Sequence, residues 1–411
     1  MKHQADLAMR SLALAGNGQR LLGDKARVKP CPATPELPSC LTAPHLWFTQ
    51  ARPAFASFPF KNCQTGSLVL RGSVSRSKLL ISLQGSLCLT ALGLGVIASL
   101  SFGARDVPVA VVWQALFHFD ASDPLHALVR GLRLQRALTA AACGAALAIA
   151  GVLMQSLTRN PLADPGLMGI NAGAALSVVL LTWSLGPQPT TILTLTASSG
   201  AGIAALTVWL LAGGTKSTVG RGLSIRLPLA GTAISSLCLS LVAAIVLLQT
   251  ESREVYRFWM VGALGQTDFE TLTLVLPFLL CGIGLAALCC RGLNAMALGG
   301  DIASGLGEHP ALIATLALIS ITLLSGGAVA LAGPIGFVGL VIPHIARAIS
   351  GASLGTTLAF AGPMGAILVL ACDTIGRIAA RPSEVPIGLV LALIGGPAFM
   401  IVLAKILGKR S

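Results

Sequence analysis

From Leu79 to the C-terminus, long apolar blocks alternate with short turns rich in Gly, Pro and charge. The blocks lie near residues 79–101, 133–157, 167–185, 190–212, 227–249, 271–290, 308–332, 335–350, 354–376 and 386–407. Most are close to the roughly 20 residues that cross a bilayer as a helix. The pattern predicts an all-α polytopic membrane protein with ten transmembrane helices, in a domain spanning 78–411. The eighth block is short and opens on Gly333-Pro334-Ile335-Gly336, which predicts a kinked or partly re-entrant helix buried against its neighbours.

Residues 1–77 read differently. They are basic, rich in Pro between Pro30 and Pro59, and lack a long apolar run. This composition predicts disorder, or a translation start placed too far upstream with the working chain beginning near Arg71 to Lys78. Met1 to Leu22 is interrupted by Asp6, Arg10, Asn17 and Arg20, so it does not read as a secretory signal.

Composition narrows the class. Charged residues are 10% of the chain, hydrophobic residues 54%, and 46 positions are Gly, which all but excludes a soluble enzyme. The net charge of +13 sits mainly in the first 78 positions and at block ends, where lipid headgroups and topology account for it, so nucleic acid is not implied. The ten cysteines include no Cys-x-x-Cys pair; Cys88, Cys143, Cys238, Cys281 and Cys372 lie inside apolar runs as small hydrophobes do. The six histidines are scattered without ligand spacing, no metal is expected, and His344 reads as a helix-end residue.

An even span count puts both ends on one side, together with Arg71, Arg76, Lys78, Lys216, Arg221, Arg226, Lys405, Lys409 and Arg410. The positive-inside rule makes that side cytoplasmic, N-in and C-in. The other face keeps Arg130, Arg133, Arg136, Arg253, Arg257, Arg377 and Arg381, more arginine than the rule expects outside.

Small residues recur at helical spacing in Gly144-x-x-x-Ala148-x-x-Gly151 and Gly169-x-x-x-Gly173, which lets helix backbones approach closely. Ala146–Gly151 and Ala328–Gly333 echo one another weakly, by duplication or by chance. Gly213-Gly214-Thr215-Lys216-Ser217-Thr218 lacks the Gly directly before Lys that a phosphate loop needs, so nucleotide binding is rejected. No Asp/Glu/Lys/Arg pair is expected in mid-span, which argues against an ion-coupled carrier and makes a partner the source of energy.

The polar, proline-broken turn Arg159–Gly169 between two apolar blocks must sit at a membrane face or line a path. It is one of four motifs, Arg133-Leu134-Gln135-Arg136, Asn160–Gly169, Gly333–Arg347 and Pro382-Ser383-Glu384-Val385-Pro386-Ile387-Gly388, that occur in order. On these, the chain over residues 79 to 411 resembles the permease subunits of the iron-chelate and cobalamin branch of ABC importers.

The resemblance implies the type II ABC importer permease fold, a homodimer in the bacterial inner membrane, and a path on the dimer axis. It implies a cytoplasmic ATPase that carries ATP and Mg, a periplasmic or lipid-anchored substrate-binding protein, and no cofactor or catalysis in this chain. It places Arg133, Arg136 and Arg377 at the docking site for the binding protein. A guanidinium fork suits carboxylates, although interfacial anchoring and an i,i+4 pair of Asp373 with Arg377 are the alternative. Gln135 stands where the family usually has Pro.

It further implies a coupling helix for the ATPase at Leu293, Asn294, Leu298, Gly299, Asp301, Ala303, Leu306 and Gly307. A cytoplasmic gate falls at Asn160, Leu162, Ser224 and Ile225, with Leu162 the closing residue and Asn160 and Asp164 alternatively turn and cap residues. The expected function is inward transport of ferric siderophore, haem or cobalamin driven by ATP on the partner. An ion-coupled carrier or channel, or a membrane scaffold, is the competing class.

Overall fold

The computed structural model describes residues 67–213, 222–265, 267–351 and 353–408. The N-terminal segment through residue 66, the phosphate-loop-like stretch at 214–218 with Lys216 and Arg221, and Lys409-Arg410 lie outside the described residues. In chain order the helices are α1 (Ser67–Ser101), α2 (Val109–Phe117), α3 (Pro124–Ala127), a π-helical turn (Leu128–Arg133), α4 (Leu134–Thr158), a 3-10 turn (Pro165–Met168), α5 (Ile170–Leu185), α6 (Thr190–Leu211), α7 (Leu223–Leu248) and α8 (Thr250–Met260). There follow α9 (Phe269–Leu298), α10 (Gly300–Gly305), α11 (Pro310–Ala332), α12 (Val338–Ser350), α13 (Leu354–Ala379) and α14 (Ile387–Gly408).

All ten expected spans coincide with helices. Seven are long and apolar enough to cross a membrane, and α5, α12 and α14 are the shorter apolar three. Helix α1 begins at Ser67, ahead of the expected boundary at residue 77. The eighth span is corrected in detail. Residues 333–337 are irregular, and α12 then runs unbroken through Pro343. Proline removes the N–H that would bond the Gly339 carbonyl. Gln155 of α4 supplies the missing donor, its Nε2 reaching Gly339 O and Leu340 O at 3.3 Å each. Arg347 Nη2 in turn donates to Gln155 Oε1. His344 sits inside α12 rather than at its end, with Nδ1 2.9 Å from Leu340 O.

Helix α4 is the axis of the bundle. Of its apolar stretch 78% is buried, against 11% for α1 and 17% for α7, so the latter two present most of their surface to lipid or to another chain. With lipid as apolar as leucine, close backbone contact has to hold such helices together. A Cβ on Gly144 would lie 2.3 Å from Gly365 O of α13, and one on Gly151 would lie 2.1 Å from Gly339 O of α12. The Gly169/Gly173 pair divides its work. Gly173 is packed 2.6 Å from Gly200 O of α6 by the same measure, whereas Gly169 takes φ +73°, ending the 3-10 turn and capping α5. The two echoing segments lie on α4 and α11, which pack together, with Cys143 Sγ 3.7 Å from Ala328 O.

Gly151→Val is expected to lower stability by about 1–3 kcal/mol or more through overpacking. Gly202, with nothing within 4 Å of its would-be Cβ, should accept Ala with no loss. Thermal unfolding midpoints of the detergent-solubilised variants check both outcomes.

Candidate functional site

Loops from distant parts of the chain gather at one end of the bundle. Ala263 N donates to Ala332 O at 3.1 Å, and Thr267 Oγ1 donates to Leu331 O at 2.9 Å. Arg381 forks onto Asp106 with contacts of 2.6 and 3.1 Å, and its guanidinium holds the Asp106 carboxyl below the usual carboxylate range.

Between them lies a cluster of arginines. Arg133 ends the π-helical turn that leads into α4 and donates Nη1 to Leu100 O at 2.7 Å and to Ser101 O at 2.9 Å, and Nη2 to Arg105 O. It thereby satisfies carbonyls that the end of α1 leaves unpaired, where a cation also complements the helix dipole. Arg377 Nη2 donates to Ser99 O and Ser99 Oγ at 3.0 and 2.8 Å, while its Nε pairs with Asp373 Oδ2 at 3.1 Å. Arg136 reaches the other oxygen of Asp373 at 2.9 Å and Glu384 Oε2 at 2.6 Å. Asp373, 2% exposed, therefore ties α4 to α13.

The three arginines expected at a docking site differ in exposure. Arg133 and Arg377 are 6% and 3% exposed, and most of their donors are spent on the chain's own carbonyls and carboxylate, so neither offers a free fork. The i,i+4 alternative for Asp373 and Arg377 is the contact observed. Arg136, whose three nitrogens are likewise engaged by Asp373 and Glu384, is the less buried, its side chain 16% exposed, and with Arg133 and Arg377 it lines a cleft of about 340 Å³ that also includes Arg105, Gln135, Gly265 and Glu384. A buried charge network exists within α4 and α13, near their ends rather than in mid-span. The partners Asp106 and Ser99 carried no sequence signal, being ordinary polar residues until the end of α1 is placed.

At the opposite end the coupling segment divides. α9 continues through Leu298, so Leu293 and Asn294 lie on its last turns. Leu293, 3% exposed, and Ala303, 0% exposed, face the core. Gly299 and Gly307, at φ +137° and +83°, bracket α10. Leu298, Ile302 and Leu306 stand 69%, 53% and 65% exposed at four-residue spacing, with Asp301 in the first turn of α10. Ile302 was missed, although its spacing from Leu306 was visible.

The gate candidates lie nearby on two elements. Asn160 Oδ1 accepts from Leu162 N at 3.0 Å, and Asp164 Oδ1 accepts from Gly166 N at 2.8 Å, so both are turn and cap residues. Leu162 is exposed at the tip of that turn. Ser224 and Ile225 open α7, also exposed, and the 3-10 turn after Asp164 packs on α7 at Gly231. Arg159, at positive φ, donates to Met296 O and joins this turn to α9.

The sequence profile of the FecCD transport family matches residues 91–405, which contain all of these sites. The chain belongs to the FecCD transport family. It is 38% identical over 315 residues to the Fe(3+)-citrate import system permease protein of Bacillus subtilis (strain 168), covering 76% of this chain and 91% of that one. It is 38% identical over 342 residues to the ferric enterobactin transport system permease protein of Escherichia coli (strain K12), covering 82% and 98%. The hemin transport system permease protein of Yersinia pestis is 35% identical over 316 residues, covering 77% and 93%. A solved structure described as an inward-facing conformation of a metal-chelate type ABC transporter superposes with a TM-score of 0.68 at 26% identity, covering 79% of this chain and 99% of that one. This FecCD-family member is thus a multi-pass membrane permease of an ABC importer, with the type II fold.

Proposed function

We propose that this permease carries a ferric chelate, of the siderophore, citrate or haem kind, from an external binding protein to the cytoplasm. Two copies enclose the path, and a cytoplasmic ATPase bearing ATP and Mg seats on each. The arginine end faces outward and the α10 end inward, so both termini are cytoplasmic. Arg136 and the cleft beside it receive an acidic side chain of the binding protein. Arg133 and Arg377 position that cleft by holding the end of α1. Leu162 from both copies closes the path at its inner mouth, with Ser224 and Ile225 behind it.

The observation that carries ATP dependence over ion coupling is the exposed stripe Leu298, Ile302 and Leu306 between two positive-φ glycines. A rigid apolar ridge with hinge-like ends fits a groove and passes on its movement. A self-sufficient carrier has no use for one.

The test is uptake into vesicles holding the permease with its ATPase and binding protein. Labelled ferric siderophore, ferric citrate, haem and cobalamin are each offered with and without ATP. Strict ATP-dependent uptake of one iron chelate is expected. Uptake driven by an ion gradient without the ATPase would overturn the reading.

A further inference from the structure

We propose that α2 is a membrane-surface anchor, lying along the headgroup boundary at the arginine end with Val109, Trp113 and Phe117 turned into lipid. The helix, Val109-Ala-Val-Val-Trp-Gln-Ala-Leu-Phe117, contains no charged residue. One side is committed to the protein, with Val112 3% and Ala115 0% exposed. The other side carries Val109, Trp113 and Phe117 at four-residue spacing, 58%, 62% and 63% exposed. A helix apolar on both sides needs a second apolar environment. Nine residues extend only about 14 Å, too short to cross a bilayer, so the helix lies along the surface rather than through it.

Three observations choose lipid as the occupant. First, the face continues the exposed apolar side of a helix long and apolar enough to cross a membrane. α2 packs on α1, the least buried of the long apolar helices, whose Leu94 and Ile97 are 62% and 43% exposed, as is Phe102 just beyond its end at 49%. Second, the chemistry is that of the interface. The Trp113 and Phe117 rings sit 4.4 Å apart, and the Arg130 guanidinium lies 5.0 Å above the Phe119 ring. Aromatic rings and snorkelling cations concentrate at headgroup depth. Third, polarity rises on both flanks, with Arg105 and Asp106 before the helix and His118, Asp120 and Ser122 after it, all exposed. An acidic docking partner would find no cation on α2 itself. The anchor sets the height of the segment between α1 and α4, the one that Arg133 fastens.

The experiment uses the full chain in nanodiscs of phosphatidylcholine and phosphatidylglycerol brominated near the top of the acyl chain. Trp113 emission is taken as the difference between wild type and Trp113→Phe. Phe117→Trp, which adds a tryptophan to the same face, provides an independent reading. Brominated lipid is expected to quench both positions, while aqueous iodide quenches them several-fold less than free tryptophan. Strong iodide quenching without lipid quenching overturns the anchor, including the case where added binding protein removes it. Emission indifferent to both reagents also overturns it, placing the face against a second copy of the chain.

Discussion

Asp373→Asn is expected to cost about 3–5 kcal/mol, the effect of breaking a buried ion pair by removing one partner. Asp373 serves two cations at once, Arg136 from α4 and Arg377 on its own helix, and its side chain is 1% exposed. An asparagine keeps the shape and loses the charge, leaving both guanidiniums without the shared carboxylate. The neighbouring acid is the control. Glu384 also bonds Arg136, but its side chain is 43% exposed, so Glu384→Gln should cost no more than about 1 kcal/mol. Thermal unfolding of the solubilised protein separates the two. Equal midpoints for wild type and Asp373→Asn would show that the network does not bind α4 to α13.

That network also shows how far the chain could be read without coordinates. The ten spans were legible because a bilayer imposes a length and a composition on every crossing helix, and each crossing therefore left its own block. The arginine end was legible as a place and not as an arrangement. Whether Arg133 is a docking fork or a clamp depends on where the last turn of α1 lies, 32 and 33 residues away in its bonds to Ser101 and Leu100. No local pattern encodes that distance. Glycine had the same ambiguity. Gly292 and Gly299 fall in one apparently loop-like stretch, yet Gly292 sits inside α9 against Ile313, whose Cδ1 would be 2.3 Å from a Cβ there. Gly299, at φ +137°, is the one that ends the helix. Spacing alone does not say whether a glycine packs or turns. α2 and α8 escaped the span pattern because neither is long enough to cross; both pack against the longer helices of the bundle.

The double replacement Ile302→Asp with Leu306→Asp is expected to abolish ATP-coupled uptake while leaving the permease as stable as before. Both residues are more than half exposed in the free chain, 53% and 65%, so their loss removes little internal packing. Seated in an ATPase groove, each would contribute about 1.5–3 kcal/mol by leaving water. Losing both, together about 3–6 kcal/mol, weakens the complex roughly hundredfold or more, since each 1.4 kcal/mol is about tenfold. Ala303 provides the contrast on the same short helix. It is 0% exposed, so Ala303→Asp buries a carboxylate in the core and should lower the unfolding midpoint itself. The two faces of α10 thus give opposite signatures, coupling lost with the fold intact on one and the fold weakened on the other. Co-purification of the ATPase, measured beside unfolding, reads them apart. If the Ile302 and Leu306 double variant kept its ATPase and its uptake, the exposed ridge would be an ordinary loop surface and the route of coupling would lie elsewhere.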